Sequence, residues 1–261
     1  MLAVEVTRGL KLYQVSGEPY EIGYRLGELA RPVFAGYMEQ SSAWRAVRRW
    51  RGAAFVQALR DAARAHFPAL LSELEGMAAG LGWSAEDVLL WNCRGELIHN
   101  ASDGCTTLAA VEHDTRFIAH NEDGDPFLHA RCALVDVRPV GKPGFVSFYY
   151  PGSLPGRTFA ANRAGLVQTI NNLRIRFPAA GVPRMIVARA VLDAASLDEG
   201  LRVLRSTPVA SGFITRWVLS RTRALSASKR AHSAVRCKAS PRAPVMRTIW
   251  SIQVAKPSLR S

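Results

Sequence analysis

The chain has 261 residues, 48% of them apolar, with a mean hydropathy of +0.00, enough for one large core or two modest ones. A net charge of +13 first suggests an anionic partner such as nucleic acid or a membrane surface. However, all 21 acidic residues lie at or before Glu199 and 13 of the 34 Lys and Arg follow it, so residues 1–199 are neutral and the excess belongs to residues 200–261.

Four cysteines (Cys93, Cys105, Cys132 and Cys237) form no CxxC pair and no short zinc spacing. They are also too sparse for a disulfide framework, so no metal is expected. Met1–Glu5 lacks the basic region and apolar run of a signal peptide. No stretch approaches the roughly 18 apolar residues of a membrane span. The expectation is a reducing, cytoplasmic setting.

Residues 5–15 read as a short strand. Pro19 then suits a first helical turn, and Gly23 and Gly27 fall on one helix face, where small residues let another backbone approach. From Glu28 to Leu74 the pattern is helical, with Phe55, Ala58, Leu59 and Ala62 at spacings of three and four. Within it, Trp44–Arg51 mixes basic and aromatic residues as nucleic-acid binders do, but helical tryptophans pack and arginines face water. The run from Gly76 to Gly82 is expected to end one helix. Ser84 and Asp87 then open another, continuing towards Glu96. Strands are predicted at Thr106–Val111, Arg116–His120, Cys132–Val137, Gly144–Tyr149 and Leu166–Asn171, followed by one helix over about 184–204. Helices, then antiparallel-type strands, then a helix argue for α+β layers.

Asp103-Gly104-Cys105-Thr106-Thr107 divides the helical part from the strand-rich part. A cysteine thiol can attack the carbonyl just before its own residue, and glycine there offers least obstruction and adopts the turn required. Hydrolysis of the resulting thioester would free Cys105 as an N-terminus. Its α-amine, with a reference pKa of about 7.7–8.0, could then act as general base, so nucleophile and base would belong to one residue. Downstream, Asn121-Glu122-Asp123 follows a second apolar run. Asp123 could hold the α-amine and Asn121 could donate to an oxyanion, or both could merely form a turn. His113, His120 and His129 leave a Cys–His pairing open.

The DGCTT and NED pair resembles the acyl-coenzyme A:6-aminopenicillanic acid acyltransferase family, the C45 peptidases, which are N-terminal-nucleophile hydrolases. The resemblance extends to Gly17–Gly23, Glu73–Ala78, Asn162–Leu166 and Asn171–Leu173, and covers roughly residues 10–213. It implies a four-layer αββα sandwich, incomplete here at the C-terminus, and self-cleavage between Gly104 and Cys105 into two associated chains. Residues 1–104 would form the helical chain and residues 105–213 the strand-rich chain. It also implies acyl transfer or amide hydrolysis through a thioester on Cys105, with Asp123 as the active-site aspartate. Asn171 and Asn172 are candidate substrate contacts. No cofactor is implied, although acyl-coenzyme A is an allowed acyl donor, and no nucleic-acid partner is expected.

Family members end with an Asn-His segment, often His-Ala-Asn-His-Leu, that supplies the oxyanion asparagine; no such segment is present. Met246–Trp250 read one base earlier admits that pentapeptide, and Phe213–Val218 read likewise admits His-His-Ala-Leu-Gly. Residues 214–261, acid-free and rich in Ser and Arg, are therefore expected to be out-of-frame translation or a disordered basic tail. Two further readings follow, an inactive truncated relative or a basic-tailed nucleic-acid or membrane-surface binder.

Overall fold

The computed structural model describes residues 3–7, 9–98, 104–112, 115–172, 178–219, 234–239 and 246–254. Asp103, His113 and a large part of the expected tail lie outside the described residues.

The chain opens with an antiparallel hairpin of β1 (Ala3–Thr7) and β2 (Leu10–Gly17). Helix α1 (Pro19–Gln40) starts at a capping box formed by Glu18 and Glu21, with Pro19 in the first turn. After α2 (Ser42–Val47) and α3 (Ala54–His66), α4 (Pro68–Leu81) packs along α1. A Cβ on Gly23 would collide with the Glu73 carbonyl, and one on Gly76 with the Tyr20 carbonyl. Small residues on both helices thus let the two backbones touch. For the same reason Gly76 and Gly80 lie inside α4, and the helix ends in the glycine run as expected, at its last member. The helix stops only at Gly82, where φ is +74°.

Ser84 caps α5 (Ala85–Asn92), its hydroxyl accepting from the Asp87 N–H at 3.1 Å. The helix breaks at Cys93 before a short α6 (Arg94–Leu97), not continuing unbroken towards Glu96. At the break the buried Asn92 amide donates to Gly152 O and accepts from Leu154 N, tying the helix end to a distant loop. The basic–aromatic stretch folds as the end of α2 and a 3-10 turn over Arg48–Trp50. Trp44 is buried against Trp83, with ring centroids 5.4 Å apart, and Arg51 pairs with Asp87 at 2.6 Å.

The second half contributes β3 (Cys105–Glu112), β4 (Thr115–Gly124), β5 (Ala133–Pro139), β6 (Phe145–Tyr149), β7 (Phe159–Asn162) and β8 (Leu166–Asn172). Next come α7 (Arg184–Val191), α8 (Leu197–Ser206), β9 (Phe213–Leu219), β10 (Ala234–Ala239) and β11 (Met246–Val254). The single helix expected over 184–204 is two, because Ser196 leaves helical geometry and caps α8 through Glu199 N. Strand β7, four residues long, is too short to show a period.

The strands form two sheets. Seven run in the order β1-β2-β5-β6-β7-β8-β9, with β2 and β5 parallel and the other neighbours antiparallel. Four run antiparallel as β10-β11-β4-β3. Strands β9, β10 and β11 fall where the sequence shows no sustained period; they take their form from pairing with β8, with each other and with β4. Helix α1 lies on β2 and β5, and the Arg189 guanidinium of α7 lies 4.5 Å from the Phe145 ring of β6, so helices cover one face of the larger sheet. Its other face meets the smaller sheet, where β3 touches β8 and β9. This is an α+β sandwich. Its core holds Leu26, Phe34, Met77, Leu90, Phe145 and Phe148, together with an ionic group. There the fully buried Arg189 lies 3.0 Å from Glu73 and 2.7 Å from Asp193.

Candidate active site

Cys105 is the first residue of β3, where Gly104 gives way to the β-branched Thr106 and Thr107. Strand β4 runs on through Asn121, Glu122 and Asp123 to Gly124, so these residues are extended and do not form the turn allowed by the sequence. The register pairs Cys105 with Glu122, Thr106 with Asn121 and Thr107 with His120. Directly opposed residues share a face and successive residues alternate. Cys105, Thr107, His120 and Glu122 therefore lie on one face, and Thr106 and Asn121 on the other.

A continuous chain of contacts joins the first group. Cys105 Sγ donates to Glu122 Oε2 at 3.2 Å, and His120 Nε2 lies 3.0 Å from the same oxygen. His120 Nδ1 lies 3.0 Å from Thr107 Oγ1, which donates to Asn171 Oδ1 at 2.6 Å. The Asn171 amide nitrogen in turn donates to Cys105 O at 2.8 Å. This circuit fixes the proton at one imidazole nitrogen. Asn171 has committed its N–H to Cys105, so its Oδ1 takes the Thr107 hydroxyl proton, and Thr107 can only accept from His120. Nδ1 is therefore N–H, and the 3.0 Å contact between Nε2 and Glu122 Oε2 is a hydrogen bond that holds a second proton between them. Thr107 also lies 3.2 Å from Thr169 of β8, stitching the two sheets together at this point.

His120 and Glu122 are buried, at 1% and 4% exposure, in a place where an unpaired carboxylate would be costly. Burial pushes the Glu122 carboxyl upward, but the His120 hydrogen bond, the nearby Arg157 and His120 charges and the Cys105 hydrogen bond outweigh it, holding the carboxyl below its ordinary value. Arg157 Nη2 lies 3.9 Å from Glu122 Oε1 and its guanidinium 4.5 Å from the Tyr150 ring.

Asp123 and Asn121 stand differently. The Asp123 N–H donates to the Gly104 carbonyl at 3.0 Å, and a Cβ on Gly104 would lie 2.9 Å from Asp123 Oδ2. Asp123 therefore flanks the Gly104–Cys105 bond. Asn121 Nδ2 donates to Asp123 Oδ1 at 3.2 Å, on the face turned away from the thiol. Of the two candidate substrate asparagines, Asn171 clamps Cys105 and Asn172 lines the adjoining cleft. His129 is not among the partners of this group.

The cleft has a volume of about 550 Å³ and reaches Glu122, Asp123 and Asp125 at the end of β4. Its walls include Tyr37, Trp91, Ile98 and Leu128, with Arg94, Arg157 and Arg184 as cationic groups. Arg94 stacks on Trp91 at 4.1 Å and donates to Ser153 at 3.3 Å. A semi-apolar cleft with a few convergent charges is the form expected of a small-molecule site. Cys132 lies near Arg157 and Glu122, but burial pushes its thiol well above the ordinary range, as it does for Cys93. Both are poor nucleophiles by that measure.

Glu122 and Thr107 were missed as site residues. The signal was available in outline, because a strand running on from residue 117 places positions 120 and 122 on one face. The pairing register that puts them opposite Cys105 was not.

Among the described residues no helix is long and apolar enough to cross a membrane. Residues 111–242 match the family model described as acyl-coenzyme A:6-aminopenicillanic acid acyl-transferase. The match takes in Asn121–Asp123 and runs past Phe213. The beta-alanyl-dopamine/carcinine hydrolase of Drosophila melanogaster is 25% identical over 226 residues, which is 74% of this chain and 56% of that relative. The chain thus spans little more than half the length of that relative. With half of its length matched to the family model, the chain belongs to the acyl-coenzyme A:6-aminopenicillanic acid acyltransferase family.

Proposed function

We propose that the protein is a self-processing N-terminal-nucleophile enzyme that breaks or re-forms amide bonds through a thioester on Cys105. The observation that carries this reading is the pair of contacts at one peptide bond. Cys105 Sγ has a proton acceptor, Glu122, at 3.2 Å, while the Gly104 carbonyl accepts from Asp123 N–H at 3.0 Å. That N–H would stabilise the oxyanion as sulfur attacks the Gly104 carbon.

The step balances. The S–H proton moves towards Glu122, a C–S bond forms, and the C–N bond breaks as the Cys105 nitrogen takes a proton. A carboxylate held below its ordinary pKa is a weak standing base but an effective acid, so Glu122 suits returning the proton to the leaving amine. Water then hydrolyses the thioester, leaving a Gly104 carboxylate and a free Cys105 thiol. The new α-amine would sit beside Asp123 and serve as base in later turnovers, with the two chains held as a heterodimer by the shared sandwich. Asn171 keeps the role of positioning Cys105. Asn121 is engaged by Asp123, so it becomes an oxyanion donor only if it changes partner.

The family and the cleft support a substrate class. The name of the Drosophila relative joins an aminoacyl group to an arylalkylamine, and the aromatic and charged lining here suits an amide of comparable size. Water as acceptor gives hydrolysis; an amine gives acyl transfer. No cofactor enters these steps. Intact-mass measurement of the purified chain is the test: two fragments split at Gly104/Cys105 are expected. A single uncut mass in active protein would sink the self-processing reading.

A further inference from the structure

Cys105 Sγ, His120 Nε2 and a Glu122 carboxylate oxygen lie within 4.8 Å of one another. The two closest separations are 3.2 Å from sulfur to oxygen and 3.0 Å from nitrogen to oxygen. Zinc at about 2.3 Å from sulfur and about 2.0–2.2 Å from nitrogen and oxygen would, in tetrahedral geometry, set its ligands roughly 3.3–3.6 Å apart. Small side-chain rotations reach those values. Thiolate, imidazole and carboxylate together suit zinc better than magnesium or calcium, which prefer all-oxygen sets.

The outer contacts also fit. A metal-binding histidine usually donates its other ring N–H to a fixed acceptor. Here Nδ1–H donates to Thr107, itself tied to Asn171, which orients Nε2 into the cluster. Arg157 approaches the other carboxylate oxygen, Oε1, and leaves Oε2 to the site. The cleft that reaches Glu122 gives an entry path.

We propose that Cys105, His120 and Glu122 form a zinc site that reversibly silences the thiol. On binding, the Cys105 S–H bond breaks, its proton and that on His120 Nε2 pass to solvent, and Zn–S, Zn–N and Zn–O bonds form. The fourth position is left to water. In the self-cleaved form, which rests on the function proposed above, the Cys105 α-amine can occupy it, closing a five-membered ring with the sulfur of the same residue. Sulfur bound to zinc no longer attacks a carbonyl, so the metal would hold both self-cleavage and turnover in check until removed.

The test uses full-length, chelator-treated protein titrated with Co²⁺ as a spectroscopic probe and then with Zn²⁺. One thiolate-to-cobalt charge-transfer band per chain is expected, displaced by one equivalent of zinc. Cys105→Ser should abolish it, Glu122→Gln and His120→Gln should weaken it, and Cys132→Ser should leave it unchanged. Circular dichroism checks each variant. For any that does not fold, Thr107→Val keeps all three ligands and should weaken binding about 10–100-fold. No band in well-folded protein, or a band lost in Cys132→Ser and kept in Cys105→Ser, would overturn the site. The two proposals fail separately. A band in a chain that stays uncut even after the metal has been removed sinks the nucleophile reading and keeps the metal site; cleavage without a band does the reverse.

Discussion

Two buried carboxylates show what burial alone does not decide. Glu73 sits beneath the helices, fully enclosed, against Arg189, a guanidinium with no proton to give at any working pH. Burial disfavours the Arg189 charge, yet Glu73 and Asp193 hold it firmly protonated. Glu122 sits between the sheets against a thiol and an imidazole, both able to exchange a proton, and opens on a cleft. The first arrangement can only hold the fold together. The second has the same low-dielectric setting but movable protons, so it can also do chemistry.

Substitutions at the two places should separate these roles. The largest effect is expected from Cys105→Ala, a loss of amide-bond activity on the order of 10⁴-fold or more. It should come with an uncut chain by mass spectrometry and a thermal midpoint close to wild type. Glu73→Ala should invert that pattern. Removing one of the two carboxylates that hold the buried Arg189 is expected to cost about 3 kcal/mol in urea unfolding, the low end for a broken buried pair because Asp193 remains, while any protein that stays folded keeps its self-cleavage. Smaller again is Gly76→Ala, where the added methyl meets the Tyr20 carbonyl and forces α1 from α4. Overpacking of this kind costs about 1–3 kcal/mol, and a midpoint unchanged within error would refute the close-packing account.

Much of the helical half was legible in the sequence because its signals are local. Pro19, Ser84 and the spaced glycines each act within a turn or two of themselves. What failed there depended on distant partners. The helix ends in the expected glycine run, but which glycine ends it was not legible, because Gly76 and Gly80 serve the backbone of α1. The candidate site was legible as far as Cys105, Gly104 and Asp123, which adjoin in the motif or flank the same bond. Glu122, His120, Thr107 and Asn171 join through cross-strand register and through β8, which no local pattern records. Strand β11 raises the same matter at the C-terminal end. Its Thr248 is opposite Glu122, and the bases around that codon, read one frame earlier, admit an asparagine. The family match nevertheless continues beyond Phe213 to residue 242. Resequencing codons 213–250 decides between the two, and an intact frame removes the shifted reading.

The smallest effect is a matter of sign. Glu96 is a third buried carboxylate. Its Oε1 accepts from Arg184 N at 2.9 Å and from Ser211, and its Oε2 has no hydrogen-bond partner among the described residues. Burial pushes its carboxyl up, and the Arg184 charge and these hydrogen bonds only partly offset that. Glu122 is held down. By linkage, Glu122 contributes stability above its unfolded pKa and loses it as pH falls through the folded value. Glu96 contributes through its neutral form, fully below its unfolded pKa, and loses that contribution as pH rises through its folded value. Relative to wild type, chelator-treated Glu122→Gln should therefore be penalised most near neutral pH and least near about pH 3, below the ordinary carboxylate range. Glu96→Gln should move the opposite way, gaining on wild type as pH rises. Urea unfolding of both variants across that range measures the two slopes. Slopes of the same sign would mean that the thiol, imidazole and guanidinium around Glu122 do not outweigh its burial, and the contrast between the two networks would fall with them.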